Sequence, residues 1–505
     1  MGIVFRQSAK NLIIVAFGAV LGMLVMWLST KYMSKQGYGY VRSISVYAVM
    51  LSQMLLLGLN STLIVYTHRL ANDIRKRKLL ISLTLLIPVV AAGIFTVLYF
   101  IFRNQILSHF QKEDRIFLTE YFAWLPLLIF FFIFTTILEQ YLGSQMKVAI
   151  SAFVREIILR VANIILILLF AFGCINLHSL ITGTILISGI PMVIFLVLCF
   201  RTPGFGFSFR LRDFSISEYK EIGHFAWYHL LLGGVLILMP LMDSALVPIY
   251  DHSGLQSAAV YAAANFVIAF LLIPSKAFLP ASFAAMAKAF AEDDMVSARG
   301  MFGRASVNLL IPTLGIAVIL CCNLQNAVAV IGNGKNYSDI INVFLILMLG
   351  NLVNIATGMN DQVLSIANYY KFNFYVSVVL ITLQFVLIKI LVPRFGLYGA
   401  AWSNASVLII FNVVKYLFVW RKMAMQPFSD KTWRVLVAAL PALAVGYFFP
   451  YLFDPERHVY VHTFIDAGIR CALIAIVYIA MLLWLKPSPD LVEYVGLIKK
   501  NKRLY

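Results

Sequence analysis

The stretch "HFAWYHLLLGGVLILMPLMDSALVPIY", "DHSG", "LQSAAVYAAANFVIAFLLIPSKAFLP", running from His224 to Pro280, decides how the chain is read. Two apolar runs flank the polar link Asp251-His252-Ser253-Gly254, and each is long enough to cross a bilayer as a helix. Asp243 lies in the first run and Lys276 in the second. An ionisable side chain inside such a run is costly and ordinarily faces a protein interior or a watery cavity. The hairpin is also an echo. Val260-Tyr261-Ala262 repeats Val46-Tyr47-Ala48, with Tyr261 standing 214 residues after Tyr47. The sequence begins again here, so the rest reads as two half-molecules meeting at this hairpin.

Composition agrees with a membrane protein. Of 505 residues, 62% are hydrophobic and 12% charged, with mean hydropathy +0.89; a soluble domain is about half apolar and about a quarter charged. The net charge of +18 does not mark a nucleic-acid partner, because the basic residues sit in short links between apolar runs. Cys174, Cys199, Cys321, Cys322 and Cys471 show neither metal-ligand nor disulfide spacing, and Cys321-Cys322 reads as helix packing. Arg6 and Lys10 precede an apolar run too long for a signal peptide, which is expected to remain as the first span.

The expected fold class is all-α and polytopic, with fourteen transmembrane helices near 11–30, 41–66, 80–102, 118–141, 150–172, 178–200, 224–250, 257–280, 305–331, 339–358, 374–393, 397–420, 433–453 and 460–485. Links after even-numbered spans carry the basic clusters, such as Arg75-Lys76-Arg77-Lys78 and Arg421-Lys422, while links after odd-numbered spans are mostly short and less basic. Both termini are therefore expected on the cytoplasmic side. The repeat continues: Ile87-Pro88 matches Ile311-Pro312, "YLGSQMK" (Tyr141 to Lys147) stands where "SIANYYK" (Ser365 to Lys371) stands, and Phe172-Gly173 matches Phe395-Gly396. Six is even, so both halves share one orientation, a parallel repeat about an axis along the membrane normal. The expected domains are a six-helix bundle over 1–200, a cytoplasmic linker over 201–223, a second bundle over 224–425, two added spans over 426–485 and a cytoplasmic tail over 486–505. Residues 281–303 read as an amphipathic helix lying in the cytoplasmic interface.

Twelve spans in two equal bundles plus two, "YLGSQMK" after span four and "PRFGLYGAAWSNAS" entering span twelve together resemble the polysaccharide (Wzx-type, O-antigen) flippases of the multidrug/oligosaccharidyl-lipid/polysaccharide exporter superfamily. The resemblance covers essentially the whole chain and rests on the pattern, since no single string defines the family. It implies a bacterial inner-membrane protein that carries undecaprenyl-pyrophosphate-linked oligosaccharide units from the cytoplasmic to the outer leaflet by alternating access. It implies as partners the lipid-linked oligosaccharide and membrane lipids, with assembly to a polysaccharide polymerase or glycosyltransferases. It implies no enzymatic step, no organic cofactor and no metal, with coupling to H+ or Na+.

Such a cargo joins an apolar tail, an anionic pyrophosphate and a polar sugar, so its cavity needs cations in a low-dielectric setting. The candidate cargo contacts are Arg6, Lys31, Arg42, Arg155, Arg160 and Lys276. Each has a second reading. Glu156 and Arg160, four apart on one helical face, suit an ion pair, as do Asp466 and Arg470. Arg6 and Lys10 can serve topology alone, Lys31 and Arg42 can sit among headgroups, and Lys276 can snorkel, although Pro274 and Pro280 on either side suit a bent helix there. Lys389 and Lys415 are expected to snorkel to the surface. Asp243, about seven residues inside the outer end and roughly 10 Å deep, is the candidate ion-coupling group. Its alternative is a helix–helix hydrogen bond. Gly332-Asn333-Gly334-Lys335 lacks a preceding strand and the full phosphate-loop spacing.

Two related activities compete. A lipid II flippase of peptidoglycan synthesis also has fourteen spans and basic cavity residues. A multidrug and toxin exporter has twelve and handles organic cations, which suits acidic cavities rather than this cationic excess. A polysaccharide polymerase requires a large external loop that no link here supplies, and a non-transporting membrane protein has little use for so many ionisable groups inside spans.

Overall fold

A backbone inside hydrocarbon has to satisfy its own hydrogen bonds, which leaves helices or closed barrels. The computed structural model, which describes residues 2–70, 72–145, 148–331, 337–367, 369–452 and 460–488, is built of helices at every one of the fourteen spans, and no strand occurs among the described residues. Seven helices are long and apolar enough to span by length and composition alone, and nine if each of two bent pairs is one span. Splitting Tyr370–Met423 at its kink, where Gly396 takes φ 56°, makes ten. The remaining four are Gly2–Tyr32, the interrupted runs 148–171 and 216–250, and Asp430–Phe448.

The interruptions follow local chemistry. Span two breaks between Lys35–Leu55 and Leu59–Arg69 with a 50° bend, where Leu57 and Gly58 both take positive φ. Gly58 is required there because a Cβ would run into the carbonyl of Ala226 on span seven. Span eight is interrupted at Leu272, before Pro274, and Leu272 stands 214 residues after Gly58. The two halves therefore break the equivalent helix at the equivalent place, one with glycine and the other with proline. Span ten bends by 42° between Ile340–Ala356 and Asn360–Ile366. Span seven passes from Ile216–Leu238 through a 3-10 turn, Met239–Leu241, to Met242–Tyr250, with Pro240 in the turn.

Two compact units divide the chain, Met1–Ala262 and Ala263–Tyr505. Helix contacts thus count span seven and the first part of span eight with the first unit. In that unit span four, Trp124–Ser144, buries Ile129, Ile133, Ile137, Leu138 and Leu142. Lipid is as apolar as leucine, so close approach and shape carry helix association there. Gly39 permits such an approach, since a Cβ would strike the carbonyl of Leu255 on span eight. In the second unit Leu310, Leu314 and Val318 of span nine pack with Val435, Ala442 and Ile474 of the last two spans.

Two stretches differ from the sequence expectation. Residues 281–303 are not a separate interfacial helix. They are the end of Ile273–Ala291 and the start of Met295–Cys322, joined where Asp293 turns with φ 56° and Asp294 caps Ser297 N–H at 3.0 Å. Their apolar residues Met286, Ala298 and Phe302 are buried against Val419 and Met423, so the pattern reported a protein-facing stripe. The link 201–223 lies against the basic end of span three. Ser208 N–H donates to Ser82 Oγ at 2.9 Å, and Lys76 pairs with Glu218 at 2.6 Å. The Lys76 ammonium and the Ser215 N–H together hold the Glu218 carboxyl down at about 2, so it stays charged at neutral pH.

Candidate functional site

Span five carries a wide π turn, Val154–Ile158, that presents Arg155 and Glu156. Such turns are frequent at functional positions because they re-aim side chains. Arg155 pairs with Glu139 of span four at 2.9 Å, and Arg160 pairs with Glu156 one turn back while donating to the carbonyl of Gly18 on span one. Gly18 makes room for this, since a Cβ would come within 2.7 Å of the Glu156 Cβ. Arg42 and Arg155 lie near enough for their charges to act on Arg160. Three guanidinium groups thus share a neighbourhood with two carboxylates. Arg42 is exposed, lies 6.0 Å from the Tyr38 ring, and has no carboxylate partner among the described residues.

The other nominated cations sit elsewhere. Lys31 lies 5.0 Å from the Trp27 ring and 5.3 Å from that of Tyr32, an aromatic seat at a span end. Lys276 is exposed in the first turn after the interruption at Leu272. The side chains of Arg6 and Lys10 lie outside the described residues, as do Gly332 to Lys335.

Asp243 is buried directly after the 3-10 turn of span seven. It accepts from Ser244 N–H at 2.8 Å and from the hydroxyl of Tyr261 on span eight. Tyr47, the repeat partner of Tyr261, donates to the carbonyl of Ala245 at 2.7 Å. The sequence displayed the two tyrosines as an echo but not their shared target. Both repeat tyrosines hold the helix Met242–Tyr250.

The second unit holds a pair that the sequence placed at the surface. Lys415 is fully buried and bonds Asp361, whose side chain is 45% exposed. Snorkelling fails for Lys415 because the bend in span ten sets Asp361 on the helix facing span twelve, and a carboxylate within reach makes burial cheaper than extension. The Phe411 ring centroid lies 3.0 Å from the ammonium, and Thr357 at the bend donates to Asn412 Oδ1 at 3.0 Å. The polar Thr357-Gly358 step inside an apolar run was the available signal. Asp466 and Arg470, the other expected pair, are both buried at 3.3 Å. Asp466 also accepts from Leu452 N–H and Asn326 Nδ2, and Arg470 donates to the Gly446 and Phe449 carbonyls. That network ties span fourteen to the end of span thirteen and is structural.

No protein-family model matches the sequence, and no curated protein matches it by sequence. Solved structures do match in shape. A lipid II flippase, MurJ, in an inward closed conformation gives a TM-score of 0.71 over 93% of this chain and 99% of that chain, at 14% identity. An inward-facing multidrug resistance MATE family transporter of the MOP superfamily gives 0.60 over 80% and 98%, also at 14% identity. A MOP superfamily transporter from Pyrococcus furiosus gives 0.55 over 83% and 96%, at 13% identity. Identities this low speak for fold alone: the chain shares the helical architecture of these solved structures.

Proposed function

We propose that the chain is a flippase that carries an undecaprenyl-pyrophosphate-linked oligosaccharide from the cytoplasmic to the outer leaflet of a bacterial inner membrane, for cell-surface polysaccharide synthesis. The observation that carries this is the arginine neighbourhood of Arg42, Arg155 and Arg160, where cations outnumber the carboxylates Glu139 and Glu156. A positive excess suits a pyrophosphate and repels an organic cation. The bundles over 1–200 and 224–425 would then open to either leaflet in turn, with both termini cytoplasmic and Asp243 as the ion-coupling group. Lys31 and Lys276 would meet the headgroup at the span ends.

A second reading, a lipid II flippase, is favoured by the shape match to MurJ over 99% of that chain. Both cargoes present a pyrophosphate on a polyprenyl tail, so the cationic neighbourhood serves either. The test is complementation of two null strains, one lacking an O-antigen flippase and one lacking the lipid II flippase; rescue of the first alone supports our reading. In the rescued strain Arg42→Gln and Lys276→Gln should each lose a charged contact of about 1.5–3 kcal/mol, or about one to two factors of ten in binding. Full rescue by both variants at normal protein level would refute the cationic contact.

A further inference from the structure

The outer half of the first unit encloses a cavity of about 590 Å³ between spans two, three and four, roofed by the helical link 103–123. Along span two it runs from Tyr40 to Leu51, about 16 Å at 1.5 Å per residue. Its walls are mainly aromatic and aliphatic, and the hydroxyls of Tyr40, Tyr47 and Tyr99 are committed to backbone carbonyls. Tyr40 donates to Tyr121 O at 3.0 Å, Tyr99 to Phe122 O at 3.2 Å and Tyr47 to Ala245 O at 2.7 Å. What faces the space is mostly ring and aliphatic surface, with the Ser43 hydroxyl and His109 as its polar members, a lining that suits a hydrocarbon chain better than a sugar or pyrophosphate.

The mouth is identified by exposure. Leu98 and Phe102 line the cavity and are 47% and 45% exposed, on the same outward stripe as Val90, Ile94 and Val97. A wholly apolar exposed stripe on a membrane span meets hydrocarbon. At the rim the Arg103 guanidinium lies 5.4 Å from the Phe122 ring and makes one long bond, 3.4 Å, to Thr119 O. Most of its donors are left for an anion. Exposed His109 and Lys112 stand on the same link.

We propose that this cavity holds the acyl chain of an anionic phospholipid from the leaflet beside the link 103–123, with its phosphate on Arg103. A dry cavity of about 150 Å³ takes a benzene ring, so this one has room for on the order of twenty carbons, one acyl chain. Bilayer hydrocarbon reaches the mouth directly, and at the rim the Arg103 guanidinium, beside the lining ring of Phe122, offers its free donors to a lipid phosphate. The proposal does not rest on the cargo assigned above, and loss of either reading leaves the other standing.

The test uses the full chain reconstituted in phosphatidylcholine vesicles with a trace of phosphatidylglycerol carrying a diazirine midway along one acyl chain. After photolysis, adducts should concentrate on peptides spanning 95–125 several-fold above the lipid-facing segment 433–448. Leu107→Trp and Leu118→Trp fill the cavity from the roof and should each remove that excess, with thermal midpoint confirming that at least one remains folded. Arg103→Gln should cut labelling by the phosphatidylglycerol probe about tenfold while leaving labelling by the matching phosphatidylcholine probe unchanged. Adducts spread evenly over lipid-facing helices, or unmoved by both tryptophans, overturn the proposal. Displacement of the probe by a trace of undecaprenyl phosphate overturns it as well, assigning the cavity to a polyprenyl tail.

Discussion

Lys415 and Asp361 differ sharply in burial, and this makes the cost of breaking the pair depend on which partner is removed. Asp361→Asn leaves an ammonium with 0% side-chain exposure and no carboxylate beside it. Stranding a buried charge costs about 3–5 kcal/mol. Lys415→Met leaves a carboxylate that is 45% exposed, which water can solvate. That loss should cost no more than about 1 kcal/mol, the worth of an exposed pair. The double variant removes both charges, keeps the volume of the lysine stem and should return most of the Asp361→Asn loss. Thermal unfolding of the purified protein in detergent, followed by cysteine accessibility, measures the order. Large domains move about 2–4 °C in midpoint per kcal/mol, so Asp361→Asn should fall by about 6–20 °C and Lys415→Met by a few degrees. Equal losses from the two single variants, or a double variant as unstable as the sum, would refute the argument and with it the buried placement of Lys415.

Two further outcomes follow from the topology and from span seven. Cysteines introduced at Ser208 and Ser429 should be shielded from an impermeant external thiol reagent, and one at exposed Ser253 should react; the reverse pattern would invert the orientation. Asp243→Asn keeps an acceptor for the Tyr261 hydroxyl but removes the charge, so transport should lose its dependence on pH or sodium while protein level holds. Unchanged transport with unchanged ion dependence would remove Asp243 from coupling.

Much of the fold was readable because membrane helices announce themselves by length and apolarity, and all fourteen spans were found near their expected places. The sequence showed less at the points where a helix bends. Pro274 gave warning of the interruption at Leu272, but Leu57-Gly58 and Thr357-Gly358 carry no proline, and glycine is common in membrane helices without any break. The bends in turn decide the polar pairs. Glu156–Arg160 and Asp466–Arg470 were legible because four-residue spacing fixes them within one helix. Lys415–Asp361, 54 residues apart, and Asp243–Tyr261, across a turn and a link, depend on how two helices meet. An apolar stripe likewise does not say what it faces, which is why 281–303 read as lying on a membrane when it packs on protein.

The repeat has a consequence at span seven. In a parallel repeat span eight is the counterpart of span two, and span one that of span seven. Tyr47 of span two bonds span seven, so strict symmetry would have Tyr261 of span eight bond span one. Tyr261 donates to Asp243, on the same nine-residue helix that Tyr47 holds. The helix Met242–Tyr250 is therefore gripped from two sides, beyond a 3-10 turn containing Pro240 that already interrupts span seven. A neutral hydrogen bond contributes about 0.5–1.5 kcal/mol and one to a charged group about 1.5–3 kcal/mol. The grip as a whole is then worth about 2–4.5 kcal/mol, between roughly a third and four fifths of a shift from 1:99 to 99:1, which takes about 5.5 kcal/mol. Neutralising Asp243 keeps an acceptor but removes the charge-assisted share, which alone is worth about a factor of ten in the equilibrium between states. If Asp243 is the coupling group proposed above, an ion arriving there should loosen the helix Met242–Tyr250, and the 3-10 turn at Pro240 is where it would move.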